Sequence, residues 1–152
     1  MGHNGVLWIH ATTGCIAWIL GAVALWKNLP GRQSRWSLAA FHWSVLAVGV
    51  TASVLVAYAP AQLWWLWLLA FVSYGLALLG YLAPRSRSLG WLRIGIHGQG
   101  GGCIALVTAT FVVSVDGLIR IAAWTLPTLI GVPLLELWYR RAAALAPEET
   151  RA

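Results

Sequence analysis

Four ionisable side chains stand inside long apolar runs of this chain: His10, His42, His97 and Glu136. An ionised group at the centre of a membrane span costs roughly 2.5–3.5 kcal/mol on insertion scales, so each needs a partner or a task. Two imidazoles at one level on different helices can ligate a haem iron within a bundle. Two imidazoles, a carboxylate and a water can instead form a zinc or iron site. His42 and His97 are the candidate haem b ligands, and His42, His97 and Glu136 the candidate metal ligands. Gly98 and Gly101 belong to the glycine-rich stretch IGIHGQGGGC around His97. Glycines at that density weaken a helix by about 1 kcal/mol each, so they must serve close packing or the approach of a flat macrocycle.

The elements that would position these residues are apolar runs: Val6–Trp26, Trp36–Tyr58, Leu63–Leu82, Ile94–Val115 and Ile121–Tyr139. Each has the length of a spanning helix, and none shows the alternation of barrel strands. The expected fold is an all-α bundle of five transmembrane helices over residues 1–139, with a polar tail over 140–152. At 1.5 Å rise per residue, His42, His97 and Glu136 lie about 8, 11 and 9 Å to one side of their helix centres. His10 lies about 9 Å to the other side. The first three should share a layer.

Facing is read from spacing. The first run carries His10, Gly14, Ala17, Gly21 and Ala24 on one stripe. The second carries His42, Leu46, Gly49, Ser53 and Val56, and the fourth His97, Gly101, Ala105, Thr108 and Val112. Small residues on a stripe are what close helix packing in lipid uses, so each histidine should face protein. Blander partners are open to all of these residues. The histidines could bond Ser44, Gln99 or backbone carbonyls, Gly98 and Gly102 could form a GxxxG contact, and Glu136 could pair with Arg140 one turn on.

Composition excludes several function classes. Of the 152 residues, 60% are hydrophobic and 9% charged, against about 25% charged in soluble domains. The net charge of +6 does not imply nucleic acid, because the cations lie between the apolar runs. Lys27, Arg32, Arg35, Arg85, Arg87, Arg93, Arg140, Arg141 and Arg151 fall on one side and Arg120 on the other. The positive-inside rule then puts the N-terminus outside and the C-terminus in the cytoplasm. Trp8, Trp64, Trp65 and Trp124 mark the outer boundary, and Trp26, Trp36, Trp91 and Trp138 the inner one. Trp18 and Trp43 lie deeper and could pack on a ligand. Pro127 and Pro133 should kink the fifth helix. Cys15 and Cys103 have neither disulfide-framework nor CxxC spacing, and no CxxCH, GxSxG or phosphate loop occurs.

The segments LWIHATTG, SLAAFHWSVLAVG, RIGIHGQGGGCIALVTATFVV and WTLPTLIGVPLLE resemble a family of small bacterial multi-helix integral-membrane proteins of unknown function with helix-borne histidines. A weaker likeness is to cytochrome b-type membrane reductases, which pack haem between helices through histidines. This chain lacks their second matched pair. The resemblance implies a protein of the bacterial inner membrane. The function expected first is a small redox protein with one haem b between His42 and His97, exchanging electrons with a quinone or protein partner. The alternatives are a non-catalytic accessory or anchor subunit of a membrane complex, and an intramembrane metal enzyme using Glu136.

Overall fold

The computed structural model describes residues 3–27, 34–83, 88–115 and 117–145. They form α1 (His3–Lys27), α2 (Arg35–Tyr58), a single turn α3 (Pro60–Leu63), α4 (Trp65–Leu82), α5 (Leu89–Ser114) and α6 (Ile119–Ala144). Five of these helices are long and apolar enough to cross a membrane. In hydrocarbon each backbone N–H and C=O must be satisfied within its own segment, which a helix accomplishes. The chain is a multi-pass, all-α membrane protein.

Local chemistry sets the turns. Ala59 precedes Pro60, whose ring disfavours helical backbone at the residue before it. Ala59 accordingly leaves the helix at φ −147°, ψ 63°, and Pro60 opens α3. Gly117 turns the chain between α5 and α6 at φ +64°, where a side chain would be strained. The Ser88 hydroxyl accepts the Trp91 N–H at 3.4 Å and caps α5. This cap explains why α5 begins at Leu89, five residues before the apolar run. At the other extreme α6 continues through Pro127 and Pro133 to Ala144, five residues past the apolar run that ends at Tyr139. Arg32, Arg85, Arg87, Asp116 and Arg151 lie outside the described residues.

The end of the bundle carrying Lys27, Arg35, Leu82, Leu89 and Ala144 is called the Lys27 end below, and the opposite one the Tyr58 end. α5 is the central helix, packing on α1, α4 and α6, while α2 lies against α1 and α4. The core joins Ala17 and Ala24 of α1, Leu38, Phe41, Val45 and Val48 of α2, Ala77 of α4 and Leu106 of α5. Lipid is as apolar as these side chains, so association depends on close fit. The α1 stripe provides that fit: Ala17, Gly21 and Ala24 are all buried. On α2 the inward face includes His42 and Val56 but not Ser53, which is exposed.

α6 buries only Ala123 and Ala142. Leu129, Ile130, Leu134 and Leu137 are exposed, as suits a lipid-facing helix. Two tryptophan pairs tie it down. Trp124 meets Trp65 of α4 edge-on at 5.7 Å, and Trp138 meets Trp26 of α1 at 6.4 Å. These are partners that the aromatic belt had placed at common levels.

Candidate functional site

The chemistry-bearing residues fall into three places. His42 lies seven residues into α2, about 10 Å from its start at 1.5 Å per residue. It is 5% exposed. Its ring stacks on Tyr81 of α4 at 5.0 Å and 14°, leans on Tyr74 at 5.2 Å and meets Trp43 edge-on at 5.3 Å. Its Nδ1 is buried without a hydrogen-bond partner.

His97 lies at a similar distance from the Lys27 end but faces α6. Its Nδ1 is 3.0 Å from the Arg93 carbonyl one turn back, and its Nε2 is 3.5 Å from Glu136 Oε2. The ring meets Tyr139 edge-on at 6.1 Å. The Glu136 carboxylate is the hub of this cluster. Arg140 Nε donates to Oε1 at 3.1 Å, the anticipated one-turn pair. Arg93 Nη2 donates to Oε2 at 3.3 Å across the helix interface and covers the Tyr139 ring at 5.5 Å. Sequence reading missed Arg93, although a signal existed: it stands four residues before His97, on the same helix face.

His97 and Glu136 are thus brought together, while His42 has its partners on α4. No hydrogen bond or ring contact joins His42 to His97 among the described residues, and no three His, Cys, Asp or Glu side chains gather there as a metal centre.

The glycines around His97 face neighbouring helices. A Cβ on Gly98 would lie 2.7 Å from the Gly80 backbone nitrogen of α4. One on Gly101 would lie 3.1 Å from the Leu76 side chain, and one on Gly100 would strike Leu135 of α6. One on Gly102 would lie 3.4 Å from the Phe41 ring of α2.

The third place is a partly open cavity of about 320 Å³ toward the Tyr58 end, lined by residues of α1, α2, α4 and α5. α1 approaches α5 closely at Gly21, where a Cβ would strike the Cys103 side chain. Nearer the Tyr58 end the walls carry Ala11, Gly14, Gly49, Ala70 and Ala109. Gly14 has no atom within 4 Å of where its Cβ would be. The missing side-chain volume makes the cavity. Its lining is mostly apolar, with Trp18, Cys15, Ser73 and His10 among the exceptions in size or polarity. His10 is held there by a 2.8 Å contact between its Nδ1 and Thr51 Oγ1 of α2. The cavity was not legible from the sequence, because its small residues come from four helices whose adjacency only the fold defines.

An apolar chamber of this size, with a few placed polar groups, is at the lower end of the roughly 300–1,000 Å³ range of small-molecule sites. It can seat one ring-sized lipid-soluble molecule. Comparison with protein-family models, with curated proteins and with solved structures finds no match to this chain.

Proposed function

We propose that this is a bacterial inner-membrane protein, N-terminus outside, that binds a lipid-soluble small molecule of the quinone class in the cavity beside His10. The observation that carries the reading is the cavity itself: four helices line it, its walls are mostly apolar, and one imidazole is held on its wall by Thr51. The grouping of cations at the Lys27 end supports the orientation. Because the cavity walls are membrane spans, its ligand would enter from the lipid phase. The test is retention of duroquinone and durohydroquinone by the purified protein in nanodiscs, with empty nanodiscs subtracted. Stoichiometric retention of at least one of them by the wild type, lost in Gly14→Leu, is expected. Retention equal to empty nanodiscs for both would overturn the reading.

A second reading is electron transfer through one haem b held by His42 and His97. The buried, unpartnered Nδ1 of His42 favours it. It requires His97 to leave Arg93 and Glu136, and α4 to yield the space it occupies at Gly98 and Gly101. Its signature is a Soret band in protein from haem-replete cells, lost in His42→Ala and His97→Ala and kept in His10→Ala. A colourless preparation removes it.

A further inference from the structure

The hydrogen bonding around His10 says which ligand chemistry the cavity recognises. Thr51 Oγ1 lies 3.0 Å from the carbonyl oxygens of both Ala47 and Val48, in its own helix. These oxygens can only accept, so the single hydroxyl proton of Thr51 belongs to them, the usual back-bonding of a helical threonine. Oγ1 is then left to act as acceptor toward His10 Nδ1 at 2.8 Å. Every contact is satisfied only if Nδ1 carries the imidazole proton. A neutral imidazole has one N–H, so Nε2 is the lone-pair nitrogen.

The Val48 carbonyl beside Thr51 Oγ1 is a further backbone partner of the His10 imidazole and, able only to accept, also calls for a proton on the ring nitrogen that faces it. No side-chain partner of Nε2 occurs among the described residues, and His10 lines the cavity. The site therefore presents an acceptor to its occupant. A ligand carbonyl placed there would meet lone pair against lone pair, whereas a ligand hydroxyl would complete a hydrogen bond. On the α4 side, the Ser73 hydroxyl makes no hydrogen bond among the described residues, although the residue is 3% exposed. It can serve a second oxygen of the same ring.

We infer that the cavity selects a neutral, lipid-soluble hydroxyarene over its oxidised carbonyl form, the ligand O–H donating to His10 Nε2. For the quinone class this means the hydroquinone is the form held. The inference rests on the ligand-binding reading above and adds the polarity of the recognition. Thr51 is a positioning residue: it acts by holding the proton of His10 on Nδ1, without touching the ligand.

The test compares three one-ring probes under anaerobic conditions in nanodiscs: durohydroquinone, duroquinone and the dimethyl ether of durohydroquinone. Duroquinone matches durohydroquinone in size, the ether adds two methyl groups, and durohydroquinone alone of the three can donate. Retained probe is counted after rapid gel filtration at a series of concentrations. Wild type is expected to hold durohydroquinone about tenfold more tightly than either other probe, the ratio one hydrogen bond of ordinary net strength provides. Thr51→Val leaves the Nδ1–H without its acceptor and should shrink that ratio, while Thr51→Ser should keep it. His10→Leu should abolish the preference and leave weak, undiscriminating retention, and it stands in if Thr51→Val does not fold. Equal retention of all three probes by wild type, or tighter retention of duroquinone, overturns the inference while the binding reading stands. Retention of no probe overturns both.

Discussion

Gly80 of α4 and Gly98 of α5 touch backbone to backbone: a methyl group on Gly98 would lie 2.7 Å from the Gly80 nitrogen, and one on Gly80 2.7 Å from the Gln99 nitrogen. In lipid, where helices gain nothing by hiding apolar surface from one another, such close approach is the main source of association. This seam fixes α4 on α5, and with it Tyr74 and Tyr81 around His42.

Gly98→Ala should therefore destabilise the bundle by about 1–3 kcal/mol, the usual cost of overpacking. Gly75, also on α4, has no atom within 4 Å of a built Cβ. Gly75→Ala should be neutral or stabilising by up to about 1 kcal/mol through helix propensity. Unfolding of the purified variants in detergent measures both. Equal effects would contradict the seam.

The cavity makes a matching prediction on α1. Gly14→Leu projects into open space and should leave thermal stability at or above wild type. At Gly21 a Cβ meets Phe41 at 2.8 Å and strikes Cys103, so Gly21→Leu should cost about 1–3 kcal/mol or more. Melting curves separate the two, and a loss in Gly14→Leu as large as in Gly21→Leu would mean that the space is not there.

Arg93 and Arg140 both hold Glu136, but only Arg93 reaches it from another helix. Arg93→Ala removes an α5–α6 link together with the contact over Tyr139, whereas Arg140→Ala removes a bond within α6. The melting temperature should fall more in Arg93→Ala, and the difference should narrow in high salt because these groups are exposed and screened. A larger fall in Arg140→Ala would show that Glu136 serves α6 alone.

Orientation is tested with reporter fusions. Those placed after Gly31, Ser88 and Ala144 should report cytoplasm, and one after Ala61 the outside. A cytoplasmic signal at Ala61 would refute the proposed topology.

The sequence by itself determined the five spans, because hydrocarbon demands long uninterrupted apolar helices and little else satisfies it. It determined the turn at Pro60, the inward stripe of α1 and the Glu136–Arg140 pair, all of which depend on residues a turn or less apart. Tertiary structure alone decided what each inward face meets. Within one glycine-rich stretch, Gly98 receives α4, Gly100 receives Leu135 of α6 and Gly102 receives Phe41 of α2. It likewise sent His42 to α4 and His97 to α6, and opened a cavity where small residues of four helices share a level. The physical reason is that apolar patterning marks a face without naming its neighbour. Between helices in lipid, shape complementarity chooses the neighbour, and that shape is built from residues far apart in the chain.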